Sequence, residues 1–409
     1  MMLDGVLPAL IQGRQSPRAF APEETLARAM PHLRALGITR IANITGLDRL
    51  GLPVVNVIRP NARSLTASQG KGLSLAAAKA SGVMESIELH CAEQLPLPDE
   101  LRTADQMARS HRMPDLGALP REKPTPFARD TPIFWTEGEE LERNRSIWVP
   151  SELVHMNYVL PEEPGAGNFL LSSNGLASGN TREEAISHGL SELIERDASA
   201  LFAADSSLLQ DRRLDLASID DSLGQALVAG LRELGMGVGI WDITSNVGVA
   251  AFRCEIMEEP RDGVALPRPA SGEGCDPHRG IALCRAITEA AQARLGTISG
   301  VRDDLLPELY TKVEHRADLM TWWSRLVYSP GQWRFAAAPH RACADAAAEV
   351  AFLRERLDRA GLDSVIAVDL GAHGIDGLAV VRVVVPGLEP PPEAGCRPGR
   401  RLQAKLAVA

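Results

Sequence analysis

Residues 172–198 read SSNGLASGNTREEAISHGLSELIERDA, and this stretch decides the fold. Its first nine residues hold two Gly, two Asn and three Ser, the composition of a loop that exposes backbone N–H groups. Asn180 or Thr181 then caps a helix expected over residues 182–200, and a helix N-terminus attracts anions. Along that helix Glu184, His188, Glu192 and Glu195 fall within roughly an 80° sector, with Ile186, Leu190, Leu193 and Ile194 on the other side. A polar loop, a helix start and a stripe of carboxylates can hold a Mg2+–phosphate assembly. The same spacing also describes a capped helix on an ordinary surface. His188 is expected to support the stripe through hydrogen bonds rather than to bind a metal.

Two more helices carry the same kind of face. In SGVMESIELHCAE, residues 81–93, Ser81, Glu85 and Glu88 fall within about a 60° sector, beside an apolar stripe of Ala80, Met84, Ile87 and Cys91. Two glutamates one turn apart can share a hard cation, or they can form a solvated face. In HRGIALCRAITEAAQARLG, residues 278–296, Arg285, Glu289 and Gln292 share a face, while Arg294 points elsewhere near the helix end. The charged turn Gly300-Val301-Arg302-Asp303-Asp304 follows. Arginine suits phosphate through its forked donors; an i, i+4 Arg–Glu surface pair is the plainer reading.

Working outward, residues 22–36 read as an amphipathic helix, 39–44 and 54–58 as strands, and 75–95 as a long helix. Residues 96–150 are rich in Pro, Arg and Glu and are expected to be irregular, with a strand at 132–135. Strands are expected at 168–172, 237–244, 247–256, 364–369 and 378–385, and a helix at 279–295. Strands and helices alternate without a strict βαβ period, which points to an α/β fold with mixed sheets packed with helices.

The 409 residues carry a net charge of −10, which argues against a partner bound by phosphate neutralisation along nucleic acid. The first 15 residues lack the layout of a signal peptide, and no apolar run is long enough for a membrane span. The six cysteines are scattered with no C-x-x-C pair, as expected for reduced thiols in the cytoplasm. Gly70-Lys71 follows Gln69 without the rest of a P-loop, and no G-x-G-x-x-G, H-E-x-x-H or G-x-S-x-G is present. If the chain binds a nucleotide, it does so without a glycine-lysine cradle.

Taken together, the segments beginning at Ser81, Asn174 and Glu289 resemble the hallmarks of the YcaO family. These are an S-x-x-x-E-x-x-E helix, an N-G-x-A-x-G-N-T-x-x-E-A segment running into H-G-L-x-E-x-I-E-R-D, and an E-A-x-Q-x-R helix followed by G-x-R-D-D. The resemblance covers residues 69–389, through the VVRVVVPGLE close. It implies a YcaO-type ATP-binding fold without a P-loop, with ATP and Mg2+ as cofactors and activation of a backbone amide by O-phosphorylation. It further implies that Glu85, Glu88, Glu184, Glu192 and Glu195 hold Mg2+, and that Ser81, Asn180, Glu184, Glu289 and Gln292 bind the nucleotide. Glu195, Arg196, Arg294 and Arg302 are the residues it implies for catalysis. A homodimer is expected from the same resemblance.

The expected organisation is an N-terminal segment (1–68) packed on the catalytic domain (69–389), then a flexible tail (390–409). The chain has neither zinc cysteines nor a P-x-P-x-P ending, so it looks more like the members that work with a TfuA-like partner and install a thioamide in a peptide or protein. Azoline or amidine formation, and a non-catalytic ATP-binding accessory, are the other readings.

Overall fold

The structure is a computed structural model. It describes residues 18–97, 100–122, 127–261, 268–303, 315–371, 377–391 and 396–407. Three antiparallel sheets organise it. Sheet one joins β1 (Arg40–Asn43), β2 (Val54–Ile58) and β3 (Ala67–Lys71) in that order. Sheet two runs β5 (Arg145–Pro150), β4 (Trp135–Glu140), β10 (Ile366–Asp369), β11 (Ala379–Val384) and β6 (Leu176–Gly179). Sheet three is the meander β7 (Met236–Asp242), β8 (Ala251–Glu258) and β9 (Ala270–Cys275). The α/β class is as expected. In place of mixed sheets, the pairings between these strands are antiparallel, because most neighbours are consecutive in the chain and need no crossover.

Ten α-helices lie among the described residues. Three of them hold the molecule together: α2 (Leu75–Glu93), α4 (Arg182–Ala203) and α7 (Arg279–Ser299). α2 packs on β2 and β3 of sheet one and on β6 and β11 of sheet two. α4 packs on β6 and β11 and on β8 and β9 of sheet three. α7 packs on β8 and β9 and on β2 and β3, which closes the circle. Each helix is thus shared by two sheets. Their apolar flanks feed three large clusters of buried side chains, around Ile87, Ile194 and Ile287 respectively. Glycine makes the close approaches possible: a Cβ on Gly70 of β3 would lie 2.0 Å from the Ala78 carbonyl oxygen of α2, and one on Gly272 of β9 would lie 2.1 Å from the Ala290 nitrogen of α7. Ser74, Thr181 and His278 cap the three helices, each accepting from a backbone N–H in the first turn.

Several expectations are corrected here. The first helix, α1 (Pro22–Ala29), stops at Ala29 because Pro31 follows, and residues 30–32 form a 3₁₀ turn. The expected irregular stretch contains the hairpin β4–β5. No strand forms at 168–172; the strand is β6, inside the stretch read as a loop. The C-terminal part is not a loose tail: α10 (Arg400–Leu406) docks on α4 through Arg401, whose Nε and Nη2 donate to the carboxylate of buried Asp197 at 2.8 and 2.9 Å. The first 15 residues and Asp304 of the charged turn lie outside the described residues. Among the described residues, no helix is long and apolar enough to cross a membrane.

Candidate active site

The circle of helices turns its carboxylates inward. Glu85 and Glu88 of α2, Glu192 and Glu195 of α4 and Glu289 of α7 face one another closely enough to perturb each other's charge. Burial is the largest influence on the first four, and it favours the neutral acid. It pushes Glu85 up to about 7, with Glu192 adding to the rise and Lys71 and Arg302 opposing it. Glu88 goes up to about 8 by burial, against the hydrogen bonds from Ser178, whose N–H and Oγ donate at 2.8 and 2.6 Å. Glu195 also goes up to about 8, by burial and by the negative charge of Glu289. Burial raises Glu192 too, with Arg196 and Arg382 pulling the other way. Glu289 is the exception. Burial pushes it up most strongly, but the Lys71 ammonium, 2.5 Å from its carboxylate, together with Arg196 and the Glu273 N–H, holds it below the usual range.

The cations are interleaved with these acids. Arg196 lies 3.6 Å from Glu192; burial opposes its charge, but Glu192 and Glu195 hold it protonated. Arg285 is held protonated in the same way by Glu195 and Asp276. His188 donates no charge: burial and the neighbouring Arg285 and Arg18 keep it neutral, and it bonds the Ser178 backbone, in keeping with a supporting role.

The remaining expected site residues divide. Ser81 is half-buried one turn before Glu85, and Arg302 acts on Glu85 from across the site. Asn180 and Glu184 stand at the mouth of α4, where the Asn180 N–H and Nδ2 both donate to Glu184 at 2.9 Å and the Ala19 N–H donates to its other oxygen. Glu184 lies about 12 Å along the helix from Glu192 and so does not join the other four carboxylates. Gln292 donates 2.8 Å to the Gln69 carbonyl and braces β3 instead of facing the acids. Arg294 is likewise turned away: it is 5% exposed and committed to Asp48 at 2.7 Å and Glu258 at 3.0 Å, an ion-pair knot between sheets one and three. The expectation that Arg294 faces the acids is corrected by these two ion pairs. Two residues of the site escape the sequence reading. Lys71 looks like a failed P-loop, and Arg382 looks like one polar position in an apolar strand. Arg285 was visible as part of a helix face, yet only folding shows it among the acids.

The donor set is all hard oxygen, which suits Mg2+. Two buried glutamates, Glu88 and Glu195, and two half-buried ones, Glu85 and Glu192, all pushed towards the neutral acid, are groups whose ionised form a divalent ion would stabilise. Among the described residues, no three ligating side chains are already gathered at metal-binding distance. That is consistent with Mg2+ held by one or two carboxylates and completed by a triphosphate.

Fold and site thus define an α/β protein in which carboxylates and arginines borne on three helices converge without a P-loop. A family model described as YcaO cyclodehydratase, ATP- and Mg2+-binding, matches residues 69–389, and the chain belongs to the YcaO family. A protein from the tfuA 3′ region of Rhizobium leguminosarum bv. trifolii is 37% identical over 91% of this chain and 88% of its own length. Among solved structures, a heterocyclase in complex with substrate and cofactor is 25% identical, with a TM-score of 0.73 over 92% of this chain. This chain spans only 53% of that heterocyclase. The YcaO protein of Methanopyrus kandleri bound with AMPPCP and Mg2+ is 24% identical, with a TM-score of 0.67 over 91% of this chain and 92% of its own.

Proposed function

We propose that this chain is an ATP-dependent enzyme that activates a backbone amide in a peptide or protein and converts it to a thioamide with an external sulfur donor. The observation that carries the ATP-dependent chemistry is the convergence of Glu85, Glu88, Glu192 and Glu195 with Lys71, Arg196 and Arg285 at the centre of the helix circle. The thioamide branch draws on the relative encoded in a tfuA 3′ region. A TfuA-like partner, a homodimer and a cytoplasmic setting belong to the same proposal.

An amide is a poor electrophile because its oxygen is a poor leaving group. Hydrosulfide adds to the amide carbon, the amide oxygen takes the γ-phosphoryl group, and the C–O bond then breaks to release phosphate. The hydrosulfide proton leaves with that phosphate, and the products are thioamide, ADP and phosphate. Mg2+, when bound, supplies charge neutralisation on the triphosphate, with Glu85, Glu88, Glu192 and Glu195 as the residues that would hold it. The chain's own part is positioning and electrostatics. Arg196 and Arg285 offer fixed positive charge to the transferring oxygens, and Arg302 adds to it from the charged turn. Glu184 and Asn180 order the start of α4, where a phosphate would meet backbone N–H groups.

The test is mass spectrometry of a candidate peptide incubated with the chain, ATP, Mg2+, sulfide and a TfuA-like protein. A product heavier by the difference between sulfur and oxygen supports the proposal. A product lighter by one water favours the second reading, azoline or amidine formation, which the likeness to a heterocyclase recommends. Glu195→Gln is expected to lower ATP turnover on the order of 100-fold, the scale seen when one electrostatic group is removed from a preorganised site.

A further inference from the structure

Arg382 of β11 is 0% exposed, yet its guanidinium has no carboxylate within ion-pair distance among the described residues. Instead it donates to three backbone carbonyls. Nη1 reaches Ser172 O at 2.8 Å and Asn174 O at 2.9 Å, while Nε and Nη2 reach Val154 O at 3.3 and 3.1 Å. Burying a charge without a counter-ion is costly, and the chain could have filled this volume with methionine or leucine. What the guanidinium does that an apolar side chain cannot is clamp two separate loops together through a planar fork.

One of those loops, residues 172–174, leads directly into β6. That strand is in register with β11, Leu176 opposite Arg382, and the Val383 N–H donates to Gly175 O at 2.8 Å. Two residues further on, β6 presents the Ser178 N–H and Oγ to Glu88. At its end the Asn180 N–H meets Glu184. Both contacts are therefore referred, through four to eight residues of backbone, to the position of one arginine fork.

We propose that Arg382 is a positioning residue for the nucleotide site: it fixes the 172–174 loop and β6 in the geometry that offers Ser178 to Glu88 and Asn180 to Glu184. The inference rests on the ATP·Mg2+ reading above. It goes beyond that reading by giving a role to a residue that touches neither phosphate nor metal. The buried cation also sits behind Glu192 and Glu88, whose charges act on it.

Titration calorimetry with ATP and Mg2+ on three proteins tests it: the wild-type chain, Arg382→Lys, and Arg213→Lys as a matched control. Arg213 is a second buried guanidinium that donates to a carbonyl, Leu326 O at 2.9 Å, beside sheet three and away from the glutamates. Lysine keeps the charge at either site but gathers its donors on one nitrogen, and so loses the planar fork that spans both loops. The expected result is at least a tenfold loss of ATP·Mg2+ affinity for Arg382→Lys and less than a twofold loss for Arg213→Lys, with both proteins folded by circular dichroism. Equal affinities for Arg382→Lys and wild type would overturn the positioning role. No uptake by the wild type would instead overturn the nucleotide reading beneath it. Hydrogen exchange on the wild-type chain decides the case in which Arg382→Lys does not fold. A clamped loop protects the Asn174 and Leu176 amides as strongly as those of β11, and exchange of those amides at the rate of an open surface loop would refute the clamp.

Discussion

Glu88 is 8% exposed, and burial pushes its carboxyl up to about 8 in the fold, against about 4.5 when the chain is unfolded. The folded chain therefore holds a proton there that the unfolded chain has released, and stability falls as pH rises from about 4.5 through 8. The cost of the ionised form is about 4 kcal/mol at pH 8 and below about 1 kcal/mol at pH 5. Glu88→Gln removes that cost while leaving a side-chain oxygen to accept from Ser178. For 409 residues the unfolding entropy is on the order of 0.9 kcal/mol per degree, so the variant's Tm should rise by up to about 4 °C at pH 8 and by under about 1 °C at pH 5. Differential scanning calorimetry of the ligand-free proteins at the two pH values measures this. Adding ATP and Mg2+ should then narrow the gap at pH 8 and reverse the order at pH 5. A ligand at about 100 times its Kd stabilises the wild type by about 2.7 kcal/mol, less than the variant's gain at pH 8 and more than its gain at pH 5, and the variant lacks a carboxylate proposed to take it up. A Glu88→Gln Tm equal to or below that of the wild type at pH 8 would refute the claim that this carboxylate is held in the fold at a cost to stability.

Other consequences are equally direct. Arg401→Ala leaves the fully buried Asp197 without its bidentate partner, and thermal melts should show a loss of about 3 kcal/mol with α10 released from α4. Arg294→Met should cost about 3–5 kcal/mol, because Asp48 and Glu258 lose their shared cation, while calorimetry finds ATP·Mg2+ affinity within about twofold of wild type. Gly70→Ala drives a methyl group against the Ala78 carbonyl of α2 and should cost about 3 kcal/mol or more, read as a lower urea midpoint.

The parts of the site legible in the sequence are the parts with a period. Glu85 with Glu88, and Glu192 with Glu195, declare a shared face because helical spacing converts directly into direction. Strands of five residues or fewer carry too little alternation, and β3 and β6 illustrate the failure. Their sequences, ASQGK and LASG, are small and polar, and both are almost wholly buried because helices press on them from one side. Composition reads such segments as loops. The same limit explains Lys71, whose meaning comes from Glu289, a residue 218 positions away that is brought to it by the packing of α7 on β3.

Arg294 and Gln292 show the opposite error. Each stands in a motif beside residues that do face the acids, and the family resemblance assigns both to the site, although helical spacing alone turns Arg294 away from the Arg285–Glu289–Gln292 face. A helix shared between two sheets has three directions available: towards each sheet and towards the centre of the circle. Glu289 takes the centre, Gln292 the β3 backbone and Arg294 the seam with Asp48 and Glu258. Which direction a given position takes is settled only when the third helix closes the circle. Charge compensation at the centre is settled in the same step, since Lys71 of β3 comes from a different element than Glu85 and Glu289, the acids it neutralises. The buried acids are therefore a property of the closed arrangement, and a chain that could not close would leave each of these glutamates at an ordinary carboxylate pKa.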